Sequence, residues 1–566
     1  MVVPRAPILL ATFPRRRHWP RWSPVSADYG DEVAITAGRP SLSGSHVIGC
    51  DRSVSVGARQ HGFALLARLS YGMGSTSRRA VNQEEMDAHQ GPSGTCPGLT
   101  RVTIRSFVGV LAALVVAVPA PPIAHMVEAV ADVPPNIVIV ITDDQRADQL
   151  AGMPATSTQL AGKGVRFDQA FASHPLCCPS RASILRGQYA HTTGIYTNGG
   201  TTGGWEGFRD RGMEASTLAT WLDDAGYRTG LVGKYLNGYS ESTNYVPPGW
   251  DFWRGGTPGY YNTGSAHPYQ THLLTSYANK FIRGTSADKH LFLFLSYFKP
   301  HAPSTPAPRY ADDPRCDGIS TSAVPSFNEG DVSDKPTPVR TKPLMTPEEQ
   351  IAIGTTLPTN QCKALLSVDN GVATVLRALS DTGRLDNTMI IFMSDHGLLL
   401  GEHRLPAWKV LTYEEAIRIP LVIRYDPLTG GFPRVDSRLV MNVDIAPTIV
   451  DLLGLTPTPG CPDPPYGACT GGFDGRSLVP LLDGSASDWR SDILIENHRA
   501  CGVRNDRYVF TRYDTGEEEL YDLSTDPYQL SNLLAGVPPP EIEALRAQLL
   551  TRLQELCRPP PPEVTI

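Results

Sequence analysis

Cys177-Cys178-Pro179-Ser180-Arg181 sets a cysteine just ahead of a proline and an arginine. Proline is tolerated in the first turn of a helix, where its missing N–H has no intrahelical partner. Ala182, Ser183, Ile184 and Leu185 can continue that helix, and Gly187 can end it. Cys177 is therefore expected at the positive end of a helix dipole, where unpaired N–H groups favour an anion. The forked guanidinium of Arg181, about one turn on, suits an oxyanion. The chemistry offered is a nucleophile beside an anion cradle.

Partners for it stand at the ends of apolar runs. Asn136-Ile137-Val138-Ile139-Val140-Ile141 leads into Thr142-Asp143-Asp144, and Tyr227 to Gly233 leads into Lys234. Leu291 to Tyr297 leads into Lys299-Pro300-His301, and Met389 to Met393 into Ser394-Asp395-His396. Such runs mark strands buried on both faces, as in a parallel sheet between helices. Ligands of open α/β sheets gather at the carboxyl ends of the strands. Taken singly, each residue has a plainer reading: a solvated lysine tip, a structural histidine, a turn or cap aspartate. Taken together, all would lie along one edge. Three carboxylates there (Asp143, Asp144 and Asp395) repel unless a cation compensates. Hard oxygen ligands favour calcium or magnesium over zinc. Arg181, Lys234 and Lys409 could counter charge on a substrate. Lys409, in a loop with Glu402 and His403, has the weakest claim on spacing alone. The implied substrate is a small tetrahedral anion on a larger organic group, such as a sulfate or phosphate ester. A plain thiolate beside a hard cation is a poor match, so Cys177 is expected to be altered.

The elements that must position these groups can be read around them. Leu218 to Leu222, Ala364 to Leu379 and Asp444 to Leu453 read as helices, with Asp444 as a cap. Gly164 to Phe167 and Pro420 to Ile423 read as short strands, and Pro303 to Pro347 as a long proline-rich loop. Beyond Asp488, short runs separated by turns predict a small antiparallel sheet. A closing helix would follow, with Ile542, Leu545, Leu549, Leu553 and Leu556 on one face. The class is α/β.

The 566 residues exceed one core, so two folded units plus extra segments are expected. Residues 1–100 read as disordered, or as an extension from a start set too early. Residues 101–131 have a basic flank, an apolar core from Phe107 to Ala120 and then small residues, the order of a secretory signal. That run is too short for a stable membrane span. Residues 134–487 form the expected catalytic domain and 488–566 a C-terminal subdomain. A net charge of −7 argues against general nucleic-acid binding. Cys316, Cys362, Cys461, Cys469, Cys501 and Cys557 form an even set, which fits an exported, disulfide-permissive setting. Cys461 and Cys469 could close a small Pro/Gly loop.

Cys177-Cys178-Pro179-Ser180-Arg181 with Leu185-Arg186-Gly187 resembles the first signature of the type I sulfatases. Gly226-Tyr227-Arg228-Thr229 through Gly233-Lys234-Tyr235-Leu236 is similar to the second, and Glu519 to Leu523 to the C-terminal region. With Asn237 added, the second signature is similar to the N-acetylglucosamine-6-sulfatase branch. The resemblance implies an alkaline-phosphatase-like sandwich with a large, mixed, mostly parallel sheet. It implies that Cys177 is oxidised to formylglycine (3-oxoalanine) by a separate formylglycine-generating enzyme. It implies calcium on Asp143, Asp144, the modified Cys177, Asp395 and His396. Arg181 would support the reacting group, Lys234 and Lys409 would hold sulfate, and His301 would protonate the leaving oxygen in a covalent mechanism. Many sulfatases carry Lys-x-His where this chain has Lys234-Tyr235-Leu236-Asn237, so the base that expels sulfate is unassigned. His191 and His403 are weaker candidates for it. The implied product is a secreted or cell-envelope sulfatase acting on a sulfated sugar, other glycan or aryl sulfate. A phosphodiesterase or phosphonate monoester hydrolase of the same superfamily, and an inactive sulfated-glycan binder, remain alternatives.

Overall fold

The apolar runs fold as neighbouring strands of one sheet. The computed structural model describes residues 133–240, 244–256, 269–457, 472–558 and 560–561. The signal-like segment, the extension before it, and Cys461 and Cys469 lie outside the described residues. In chain order the strands are β1 (Asn136–Asp143), β2 (Val165–Phe167), β3 (Ala170–Phe171), β4 (Arg228–Gly233), β5 (Phe252–Gly255), β6 (Leu291–Pro300) and β7 (Thr388–Ser394). There follow β8 (Leu421–Arg424), β9 (Arg434–Asp436), β10 (Val440–Met441), β11 (Asp492–Asn497), β12 (Ala500–Asn505), β13 (Tyr508–Tyr513) and β14 (Glu518–Asp522).

The main sheet has the order β5-β4-β6-β1-β7-β8-β2-β9. The first five strands run parallel, β8 is antiparallel to both β7 and β2, and β9 is parallel to β2. Register aligns the carboxyl ends: Thr142 pairs with Ser394, and Gly233 with Ser296. Alternate residues serve opposite faces. Ile137, Ile139, Ile141, Phe292, Phe294, Ile391 and Met393 pack with the Cys177–Arg186, Leu218–Asp224 and Ile445–Leu452 helices. Val138, Val140, Leu291, Leu293, Leu295, Ile390 and Phe392 pack with the Gln270–Arg283 and Leu357–Asp381 helices. A sheet covered on both sides explains why these strands read as unbroken apolar runs.

β11 to β14 form an antiparallel meander. Leu549 and Leu553 of the Pro540–Leu556 helix close over its Leu494, Val503, Phe510 and Leu520. A Cys501–Cys557 disulfide ties β12 to the end of that helix, and Cys316–Cys362 ties the proline-rich segment to the Leu357–Asp381 helix. Among the described residues, no helix is long and apolar enough to cross a membrane.

Asp444 does not cap as expected. Its side chain makes no cap hydrogen bond to the Ile445–Leu452 helix. One oxygen instead accepts from Met441 N at 2.7 Å, and the other from Arg476 N and Arg490 at 2.8 and 2.6 Å. The Met441 N–H three residues before it, and the Arg476 N–H and Arg490 guanidinium reached through the fold, take the carboxylate from the helix end.

Candidate active site

The Cys177–Arg186 helix begins at Cys177, two residues before Pro179, with extended Leu176 as its N-cap. Gly187 at φ +66° ends it, in a left-handed conformation that glycine adopts without Cβ strain. Every residue of this helix is buried. Asn442 Nδ2 donates to Ser180 Oγ at 2.8 Å, and Ser180 Oγ donates to the Asp395 carbonyl at 2.5 Å. The helix is thereby pinned to the end of β7.

Donor atoms of Asp143, Asp144, Cys177 and His396 all lie within 4.8 Å of one another. Cys177 Sγ is 3.5 Å from Asp143 Oδ1 and 3.3 Å from His396 Nε2. His396 Nδ1 lies 2.8 Å from the Gly397 carbonyl, which can only accept, so a neutral ring turns its Nε2 lone pair toward the cluster. That nitrogen is 3.5 Å from Asp144 Oδ1 and 3.7 Å from Asp395 Oδ1. Asp144 itself sits at φ +65°, an uncommon left-handed conformation for a residue with a Cβ.

Two lysines flank the group. Lys234 Nζ donates to Asp143 Oδ2 at 2.5 Å. Lys409 Nζ donates to Asp144 Oδ1 at 3.0 Å and lies 3.3 Å from Cys177 Sγ. The weakest of the sequence candidates is thus as central as the others: Lys409 is 5% exposed and no solvated loop tip. Burial, the largest single influence, pushes both carboxyls up, but the surrounding cationic groups together outweigh it, Lys234 foremost at Asp143 and Lys409 foremost at Asp144, with His301 adding to each. Asp143 lies well below the usual carboxylate range and Asp144 below it. Lys234 and Lys409 are correspondingly held above the ordinary lysine value despite burial.

Burial, and then the Asp143 carboxylate, push the Cys177 thiol up to about 12. Burial, and then the acidic residues that Cys177 faces, outweigh the helix N-terminus expected to favour an anion. The unmodified side chain is a neutral thiol, neither a nucleophilic thiolate nor a ligand for a hard ion. The rest of the donor set does fit a hard divalent cation: carboxylate oxygens and one imidazole nitrogen converge on one point.

Asp395 stands partly outside this group. Its Oδ2 accepts from Arg181 Nε at 2.8 Å, and its Oδ1 accepts from the backbone N–H of His396 and Asp144 at 3.0 and 3.3 Å. Arg181, 1% exposed, also donates to Ser296 Oγ at 2.6 Å and the Lys234 carbonyl at 3.1 Å, and its buried Nη2 has no partner among the described residues. His301 follows β6, with Nδ1 2.6 Å from the Ala302 carbonyl and Nε2 3.7 Å from Asp144 Oδ2.

The two weaker histidine candidates are held elsewhere. His191 Nδ1 bonds Glu496 at 3.0 Å, and His403 Nδ1 bonds Glu329 at 2.6 Å. Ser296, Asn442 and Asn497 were not singled out from sequence. Ser296 had a signal, since it interrupts the apolar run from Leu291 to Tyr297. Asn497 had none: it donates to the Val410 carbonyl at 2.8 Å from the far C-terminal sheet.

Comparison with known proteins adds a second line. A family model described as Sulfatase matches residues 135–455, and one described as N-sulphoglucosamine sulphohydrolase, C-terminal, matches residues 401–558. An extracellular sulfatase SULF-1 homolog of Drosophila melanogaster is 33% identical over 389 residues, covering 64% of this chain. This chain spans only 33% of that relative's length. An N-acetylglucosamine-6-sulfatase of Homo sapiens is 30% identical over 390 residues, covering 64% of this chain and 67% of the relative. A protein solved in complex with its substrate D-glucosamine-2-N,6-O-disulfate superposes with a TM-score of 0.61 at 23% identity. The match covers 76% of this chain and 99% of that one. At that identity the likeness shows a shared fold.

Proposed function

Because the chain belongs to the sulfatase family, we propose that it is a sulfuric ester hydrolase that cleaves the sulfate ester of a sulfated sugar at the Cys177 cluster. The observation that carries this reading is the convergence of Asp143, Asp144, Cys177 and His396 within 4.8 Å, flanked by the two lysine ammonium groups. Carboxylates alone would repel a sulfate. Carboxylates with a cation and two lysines would attract one.

Asp143, Asp144, Asp395 and His396 would hold a calcium ion, which would supply positive charge to the ester. Oxidation of Cys177 to formylglycine by a maturation enzyme would put oxygen chemistry where the neutral thiol is a poor match. Lys234 and Lys409 would hold the sulfate oxygens. Arg181 would fix Asp395 and stabilise developing charge through its remaining N–H groups. His301 keeps Nδ1–H on a backbone carbonyl, so its doubly protonated ring, with Nε2 3.7 Å from Asp144 Oδ2, would pass the Nε2 proton to the departing alcohol oxygen. The sum is ester plus water giving alcohol and sulfate.

Export is supported by the disulfides Cys316–Cys362 and Cys501–Cys557, by the signal-like segment, and by relatives named as extracellular sulfatases. The sugar is supported by relatives named N-acetylglucosamine-6-sulfatase.

Two measurements test the reading. Mass spectrometry of the Cys177 peptide from the native host should show the aldehyde or its hydrate, and a fully retained thiol would refute the modification. Turnover of matched aryl sulfate and aryl phosphate esters should favour sulfate. A preference for phosphate would move the protein to the phosphodiesterase or phosphonate hydrolase alternative. No turnover of either by fully modified protein, with sulfated glycan still bound, would make it a binder.

A further inference from the structure

The chain balances the charge of the reactive cluster by itself. Each of the three carboxylates there has its own cation: Lys234 on Asp143 at 2.5 Å, Lys409 on Asp144 at 3.0 Å and Arg181 on Asp395 at 2.8 Å. Three negative charges thus meet three positive ones. All six side chains lie within the fold, Lys234 being the most open at 11%. A protonated His301, with Nε2 3.7 Å from Asp144 Oδ2, adds one more positive charge.

Such a balance works against a divalent cation that arrives alone. The cation would leave two net positive charges, or three with His301 protonated, where burial weakens solvent screening. The conflict is sharpest at one atom. Asp144 Oδ1 accepts from Lys409 Nζ and also lies 3.5 Å from His396 Nε2. A cation bridging Asp144 and His396 would face that ammonium across a shared oxygen. Lys234 opposes it less directly, because it holds Asp143 Oδ2 while Oδ1 is the oxygen turned toward Cys177 Sγ. An oxyanion that arrives alone meets the mirror problem, three carboxylates whose cations are already matched. Arriving together, the two cancel. A doubly charged tetrahedral oxyanion offsets the cation, and its oxygens give both ammonium groups acceptors besides the carboxylates.

Resting on the calcium and sulfate-ester reading of this cluster, we propose that Lys234 and Lys409 are built-in competitors of calcium, so that calcium and a sulfate-bearing ligand bind as a linked pair. Linkage of this kind is reciprocal: the factor by which sulfate tightens calcium is the factor by which calcium tightens sulfate. The two lysines then act in two directions, toward the oxygens of the ester and against the ion. Calcium is held most loosely between turnovers, when neither ester nor product neutralises the ammonium groups.

The test is calorimetric titration of calcium into the mature full-length chain after treatment with a chelator, in inorganic sulfate and in chloride at equal ionic strength. Sulfate should lower the calcium Kd about tenfold, within the usual range of coupling between two sites. In chloride, Lys409→Met should tighten calcium about tenfold and Lys234→Met by less, and each should shrink the effect of sulfate. The wild-type comparison needs no variant, so it decides the matter even where a substitution harms folding. A calcium Kd that sulfate leaves unchanged overturns the linkage while the calcium reading stands. Weaker calcium binding by folded Lys409→Met also overturns it, by showing that the ammonium supports the ion. Failure of wild type to bind calcium in either salt removes the calcium reading itself, and the linkage with it.

Discussion

Lys234 and Lys409 bring ammonium groups to the same few atoms from opposite kinds of structure. Lys234 follows β4 directly. Its N–H donates to the Ser296 carbonyl at 3.0 Å, continuing the ladder to β6, so regular sheet geometry delivers it. Lys409 lies in an irregular segment in which His403, Arg404, Ala407 and Val410 have φ of 52°, 63°, 51° and 83°. Leu399 and Trp408 exchange backbone bonds at 2.8 and 3.1 Å, and Val410 N donates to the Pro175 carbonyl at 3.0 Å. Asn497, from β11, clamps the Val410 carbonyl. The sheet aims its charge from paired strands with one adjustment, Gly233 at φ +105°, where a Cβ would strike the Ser296 carbonyl. A loop aims one by being over-determined, and it stores strain in doing so.

The comparison predicts equal chemistry from unequal supports. Lys234→Ala and Lys409→Ala should each lower kcat on an aryl sulfate by roughly 10²–10³, the loss of one preorganised donor. A Lys409 variant retaining most activity would show that only the sheet-borne lysine matters. The supports should then separate. Asn497→Asp keeps the oxygen that accepts from Arg499 N but replaces the donor to Val410 with a repelling oxygen. It should lower kcat about tenfold and cost about 1–3 kcal/mol of stability. With Lys409→Ala as background, the kcat effect of Asn497→Asp should largely vanish, because both act through one ammonium group. Additive losses would refute the clamp.

The same contrast decides what the sequence could reveal. The placement of Asp143, Asp144, Lys234, His301, Asp395 and His396 along one sheet edge was legible because buried parallel strands are written as unbroken apolar runs, and these residues stand where the runs stop. The helix after Cys177 was legible from Pro179 and Gly187, local signals for a local structure. The position of Lys409 was not, because the neighbouring Val410 is held by Pro175 and Asn497, far away in sequence. Asp444 misled for the same reason: a cap is a local inference, and Arg490 reaches it only through the fold. The two disulfides join residues 46 and 56 positions apart, a pairing that spacing alone leaves open. The neutral state of the Cys177 thiol also needed three dimensions, since it depends on burial and on facing Asp143.

Strain in the Lys409 loop can be released selectively. Val410 at φ +83° is β-branched, for which a left-handed conformation is a genuine outlier. Relief of about 1–3 kcal/mol of strain is offset by about 0.5–1 kcal/mol of added glycine entropy in the unfolded chain. Val410 is also buried, and removing its side chain costs about 1.5–3 kcal/mol, so Val410→Gly should lose only about 1 kcal/mol in urea denaturation while kcat falls a few-fold through a looser Lys409. A loss of about 3 kcal/mol, the sum of lost burial and added glycine entropy with no strain relieved, would show that the loop is not strained in the sense argued.

The smallest effect is a drift of stability with pH, and it too falls on the Lys409 side. Glu415 follows the loop, and its carbonyl accepts from Leu398 N at 2.8 Å, two residues beyond His396. Burial, and then the Glu402 carboxylate beside it, raise the Glu415 carboxyl to about 7, against the opposing pull of Arg146 and His403. The folded state thus binds this proton more tightly than the unfolded chain, where a glutamate has its ordinary lower value. Its contribution is fully present below that ordinary value and is lost as pH rises through about 7. Thermal unfolding between about pH 5 and pH 8 should show wild type losing Tm relative to Glu415→Gln, which keeps a neutral side chain throughout. Parallel Tm profiles for the two proteins would mean that Glu415 is ionised in the fold across this range and that the Lys409 side carries no such proton.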